Sequence, residues 1–254
     1  MNPIQKARWQ LACGILVALG SATAVWYLLY PLAGYSRLTL MLAQLVTPVI
    51  GLGGIALWRI GWREVGLSMG DLGRAAASSS VVTALFLLLA WPLRSVLAPE
   101  VPLLRPEFSL PHLLDNWILT GLGEEILFCG LLFNLTLRAL PARRRWVAVL
   151  PVALAFAAWH LPGYLARGLP LAGFSGRLAL NVASWLFFGL AYALSGNLWL
   201  AAIMHANTNY AISPLIVGSP PLGLLFMGMM VAAAWVLGRR RDRAPESTPL
   251  AEPG

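Results

Sequence analysis

The sequence predicts an all-α fold, a polytopic membrane helix bundle of about eight transmembrane helices. Three observations predict it. The 254 residues are 59% hydrophobic but only 11% charged, where a soluble domain has roughly 25% charged residues. The apolar residues gather in runs close to the roughly 20 residues that span a bilayer. The arginines fall between those runs, where lipid does not have to solvate them.

Reading in order, the runs lie near 10–30, 38–58, 79–97, 113–138, 146–163, 178–194, 198–215 and 222–238. The basic start, Met1 to Arg8, resembles a signal peptide. Its apolar run continues to about Tyr30 with no cleavage site, so it reads as a first membrane helix. Pro48 is expected to kink the second helix, and Pro92, Pro162, Pro214 and Pro220–Pro221 to mark helix ends. The fourth run carries two acids, and the fourth or fifth could be partly re-entrant. The sixth and seventh are separated only by Ser195-Gly196-Asn197, a tight turn signal. One transmembrane domain is expected over 1–242. The polar, Pro-rich tail 243–254 is expected to be disordered.

Charge sets the orientation. The formal net charge is +8. With eight spans and an inner N-terminus, the inner side holds Lys6, Arg8, Arg59, Arg63, Arg74, Arg138, Arg143 to Arg145, Arg239 to Arg241 and Arg243. The outer side holds Arg37, Arg94, Arg105, Arg167 and Arg177. These sets contain 13 and 5 of the 18 basic residues. The bias predicts both termini in the cytoplasm and membrane lipids as partners. The expected setting is a bacterial-type plasma membrane. Nucleic acid is not expected as a partner, because the arginines sit in short runs between membrane spans. The two cysteines, Cys13 and Cys129, both lie in apolar segments, which argues against a disulfide framework.

Three places put strongly polar groups where lipid should be. The first is Glu124-Glu125 in the fourth run. A carboxylate at mid-bilayer costs at least roughly 2.5–3.5 kcal/mol, and two adjacent ones repel. The bland alternative is a polar helix contact or an interfacial helix end. The second is Phe156 to His160, and the third is His205 to Asn209. Each pair is four apart and so shares a helix face. A lone membrane histidine is more often an interhelical hydrogen bond than a catalyst. Carboxylate, two imidazoles and a carboxamide together suit water activation. Glu124, His160 and His205 would also match a zinc shell with one open position, although no His-Glu-x-x-His helix is present. His112 and Asp115 are expected at the interface. Trp26, Trp58, Trp62 and Trp199 are expected in an aromatic belt or in packing.

In this order, on separate spans, the three motifs resemble the CPBP family of intramembrane proteases, the CAAX prenyl protease and bacteriocin-processing type. The flanks are similar too: Phe188-Gly189, Ser195-Gly196-Asn197-Leu198-Trp199, and Val65-Gly66-Leu67 ahead of the core. The resemblance covers about residues 60–215. It implies an intramembrane endopeptidase that hydrolyses a peptide bond near the membrane surface, on a peptide or protein substrate that in some members is lipidated. By position, Glu124 would activate water, His160 and His205 would hold the water or a divalent metal such as zinc, and Asn209 would stabilise the oxyanion. Glu125, Phe156 and Cys129 would support them.

One position departs from the family. Cys129 stands where arginine is usual, four residues after Glu125 and on its helix face. Glu125 is therefore expected to be protonated or hydrogen-bonded to a neutral partner, and Cys129 to behave as a small apolar residue. The departure keeps open a catalytically inactive scaffold or immunity-type protein of the same fold. A transporter with a proton path is a further alternative, but it lacks the repeated halves common there.

Overall fold

A computed structural model describes residues 2–34, 36–107, 109–140 and 144–243. The expected tail lies outside the described residues, apart from Arg243. Among the described residues every regular element is a helix. We number the principal ones α1 (Pro3–Ala33), α2 (Arg37–Leu57), α3 (Met69–Leu97), α4 (Leu110–Ala139), α5 (Val149–Ala166), α6 (Leu171–Ser195), α7 (Leu198–Asn209) and α8 (Pro220–Arg243). All but α7 belong to helical stretches long and apolar enough to cross a membrane.

Local chemistry explains the boundaries. Asn2 and Gln5 form a capping box, so α1 starts at Pro3, earlier than its apolar run suggests. The Ser68 hydroxyl accepts from the Asp71 backbone N–H and starts α3 ten residues before its expected boundary. Asn197 caps α7 by accepting from the Leu200 N–H at 3.2 Å. Gly196, with φ of 63°, makes the left-handed turn that ends α6. Pro220 opens α8 and Pro214 caps a short turn, as expected of chain punctuation. Pro92 and Pro162 do not mark helix ends as expected. Both lie inside helices, which continue to Leu97 and Ala166. Proline costs a helix one amide donor and a clash with the preceding turn, and neither stops a helix within its last two turns here.

The seventh run is also shorter than expected. In place of a span over 198–215, α7 stops at Asn209 after 12 residues. That is about 18 Å at 1.5 Å per residue, short of a roughly 30 Å hydrocarbon layer. Its apolar residues are buried against protein. Even so, the chain returns to the far side between 198 and 219. Gly66 lies against the Gly196 carbonyl, and Gly238 of α8 lies against the Leu194 carbonyl. The ends of α6 and α8 therefore share a face. The Arg138–Glu64 pair and Lys6 of α1 line one groove, and Arg145 lies over Tyr192 near the end of α6. Both described chain ends thus lie on this one face.

The core is built around α4. In its most apolar 18-residue stretch, 78% of the residues are buried, against 17% for the span containing α3. Every residue from Ile126 to Phe133 is buried. Small residues let the neighbours close in. A Cβ on Gly51 of α2 would come 2.9 Å from the Leu127 nitrogen, and one on Gly121 would come 3.0 Å from the Ala202 carbonyl oxygen of α7.

Candidate active site

The glutamates sit at an irregular point of α4. Gly123–Glu125 is one α-helical turn between two π-helical stretches, Asp115–Leu122 and Ile126–Phe133. Wider π turns leave backbone carbonyls for side chains to satisfy. Asn134 does this, donating through Nδ2 to the Cys129 and Gly130 carbonyls at 3.2 and 2.8 Å.

The structure brings Glu124, Glu125, Cys129 and His205 into one buried cluster. Cys129 Sγ donates to Glu125 Oε2 at 2.8 Å. The other Glu125 oxygen, Oε1, faces His205 Nδ1 at 2.9 Å. The far side of that ring, Nε2, is 3.7 Å from Glu124 Oε2. Glu125 is fully buried, and Glu124 and His205 nearly so. Cys129 is therefore more than the small apolar residue expected: it is the neutral partner that Glu125 lacked in the sequence. Phe188 stacks on the His205 ring, with centroids 4.9 Å apart and planes at 17°. That packing and the Glu125 bond hold the imidazole from its face and its edge.

His160 approaches from α5. Its Nδ1 is 2.9 Å from the Phe156 carbonyl oxygen, an acceptor, so Nδ1 carries the proton of that bond. Nε2 is left as the acceptor when the ring is neutral. Phe156 lies between the two histidines, 4.6 Å from the His160 ring and 5.7 Å from the His205 ring. Glu124 and His160 line one cavity of about 240 Å³, together with Trp26, Gln44, Trp159 and Arg167. Glu124 Oε2 has no hydrogen-bond partner among the described residues, although it is buried. Such an atom is costly unless something fills its acceptor position.

Asn209 is not gathered into this cluster. It is the last residue of α7, exposed, and its side chain forms no hydrogen bond among the described residues. The expected metal shell is not assembled either. Among the described residues no group of three His, Cys, Asp or Glu side chains is arranged so that it could hold a metal ion. His205 Nδ1 is already engaged by Glu125. The donors as placed do not fit a three-ligand zinc site.

His112 is exposed at the start of α4 and stacks against Tyr210. Trp26 departs from its expected belt or packing role, because it lines the cavity beside Glu124 and His160. Sequence reasoning also missed Gln44, Trp159 and Arg167 there. Arg167 left one readable signal, a spacing of seven from His160, which is two helical turns on one face.

Against known families, residues 106–211 match the model described as type II CAAX prenyl endopeptidase Rce1-like. No curated protein and no solved structure matches the chain. The matched segment is less than half of the chain, but it runs through α4, α5, α6 and α7 and contains both glutamates, His160, His205 and Asn209. Over this segment the chain is similar to the Rce1-like CAAX endopeptidases, and the match supports a CPBP-type, CAAX protease assignment.

Proposed function

We propose that the protein is an intramembrane endopeptidase that cleaves a peptide or protein substrate with a water activated by Glu124. The observation that carries this reading is that Glu124 and His160 line one cavity, while Glu124 Oε2, buried beside His205, has no hydrogen-bond partner among the described residues. A water there would donate one hydrogen to Glu124 and be held through a second by His160 Nε2. Glu124 takes the proton as the water oxygen attacks the scissile carbonyl, and later returns it to the leaving amine. His205, fixed by Glu125 and Phe188, turns its Nε2 edge toward Glu124, and in the imidazolium form that edge is an N–H facing the developing charge. Asn209, one turn beyond His205 on the same helix, lies outside the buried cluster and is given no step. No step passes through a metal.

The inactive-scaffold alternative rested on Cys129. The bond from Cys129 to Glu125 supports the active reading, since it supplies the polar contact that the sequence lacked. We assign the arginine-rich face that carries both described chain ends to the cytoplasm.

The test is cleavage by the full chain in phosphatidylcholine vesicles, read by mass spectrometry against a library of prenylated and unprenylated peptides. Wild type is expected to cut a subset and Glu124→Gln to cut none, with both proteins equally folded. Full activity in Glu124→Gln would refute the role of Glu124.

A further inference from the structure

A second set of buried polar groups meets α4 one turn past Cys129. Asn134 of α4 and Tyr192 of α6 are both buried, and neither takes part in the reaction proposed above. Asn134 Nδ2, which holds the Cys129 and Gly130 carbonyls, also donates to the Tyr192 hydroxyl at 3.1 Å. The amide has two hydrogens for these three acceptors, so the adjacent carbonyls share one. The Tyr192 hydroxyl donates in turn to the Val65 carbonyl at 3.1 Å. Every polar hydrogen of the two side chains is thus placed.

Tyr192 is itself fixed. Its ring meets Phe133 of α4 edge-on, with centroids 5.0 Å apart. The Arg145 guanidinium lies over the same ring, 5.1 Å from its centroid. Val65 leads into Gly66, whose carbonyl accepts from the Leu198 N–H at 3.3 Å. Leu198 opens α7, the helix of His205. The bonds therefore run from the Cys129 turn, through Asn134 and Tyr192, to the start of α7. Glu125 joins the same two elements from the other side, through Cys129 Sγ and His205 Nδ1.

A cysteine sulfur has one side-chain torsion with three staggered positions, so its backbone decides what it can reach. A longer side chain could follow a displaced turn by changing rotamers, but a thiol cannot. The turn in question lies in the π-helical stretch Ile126–Phe133, where the wider spiral leaves carbonyls for side chains to hold. We propose that Asn134 and Tyr192 are positioning residues that lock the Cys129 turn, aim its thiol at Glu125 and so hold His205 in place for the cut. This rests on the protease reading above. The rival is a structural role, in which the pair satisfies buried groups and leaves the thiol where it was.

The experiment uses the full chain in phosphatidylcholine vesicles with Cys13→Ala. Cys13 is exposed on α1, and its removal leaves Cys129 as the only thiol. The S–H stretching band in the infrared is clear of other protein bands and falls in frequency when the thiol donates a hydrogen bond. Ethanethiol in hexane marks the free thiol. The Cys13→Ala protein is expected to show a narrow band well below that mark. Tyr192→Phe removes only the hydroxyl and keeps the ring against Phe133 and Arg145. It is expected to move the band part of the way toward the free thiol, and Asn134→Leu to move it further. An unchanged band in folded Tyr192→Phe and Asn134→Leu overturns the proposal. If Asn134→Leu does not fold, Tyr192→Phe decides alone.

Cleavage supplies the second arm. Tyr192→Phe is expected to lower kcat by roughly threefold to fivefold with KM unchanged, the scale of one weakened hydrogen bond. In a Cys129→Ala background the same change should cost less than about twofold, because its effect travels through the thiol. An equal cost in both backgrounds overturns the proposal. If wild type cleaves no peptide yet the band moves in Tyr192→Phe, the protease reading fails and the clamp on the thiol stands.

Discussion

Helices α3 and α4 look alike as hydrophobic runs but live in different surroundings. The most apolar stretch of the α3 span is 17% buried, that of α4 78%. Val81, Leu88 and Trp91 of α3 point outward, exposed by more than half. On α4 everything from Gly123 to Thr136 is inside. Lipid tails are as apolar as leucine, so α3 gains little by burying its side chains in protein. A membrane carboxylate needs partners that lipid cannot supply. α4 can carry two only because α2, α5 and α7 enclose it. Hydropathy measures whether a helix enters the bilayer, whereas enclosure by other helices is what lets α4 carry two carboxylates there.

The largest expected contrast is catalytic. Glu124→Gln and His160→Ala are each expected to lower cleavage by roughly 10²–10⁴. Leu88→Ala on the outer side of α3 is expected to leave cleavage within error. Loss of activity in Leu88→Ala would mean that α3 does more than face lipid. The next effect is on stability. Gly54→Val should force a Cβ into Leu131 of α4, which lies 2.5 Å from that position, at a cost of about 1–3 kcal/mol. On α3, Gly73 meets nothing within 4 Å of an added Cβ. Gly73→Ala should therefore be neutral, or stabilising by up to about 1 kcal/mol. Unfolding of the two variants by SDS titration in mixed micelles checks this, and equal midpoints would break the comparison.

A smaller effect is expected at Cys129. Removing its S–H leaves Glu125 Oε2 with one donor fewer and loosens the hold on His205. Cys129→Ala should lower kcat by roughly fivefold to tenfold, matching about 1 kcal/mol for a hydrogen bond. Cys129→Ser keeps a donor and should recover most of that loss. If Ala and Ser variants behave alike, Cys129 is packing only. The smallest expected change is for Leu85→Ala on α3, within about 0.5 kcal/mol of wild type in the same titration.

Much of the site was legible in sequence because helical spacing is local. Glu125 and Cys129, and Phe156 and His160, are four apart, and both pairs meet as the spacing predicts. Contacts between helices were not legible. Nothing near His205 in sequence announces that its ring lies between Glu125 and Glu124, 80 positions away for the first contact. The short α7 was missed because the apolar run continues past its end. The helix stops at Asn209, before Pro214, while hydropathy stays high.

The sequence by itself determined that the chain is helical, that it enters a membrane, which residue types reach the interior, and in what order the motifs follow. Each depends on composition and on spacing within one helix. Only the tertiary structure decided that Glu125 turns to Cys129 and His205 while Glu124 faces the cavity with His160. It alone placed Trp26 and Arg167 in the lining of that cavity and left Asn209 outside the cluster. Those outcomes depend on which helices touch. In a membrane, that choice turns on the close approach of residues such as Gly51, Gly121 and Gly163, because hydrophobicity no longer distinguishes a protein neighbour from lipid.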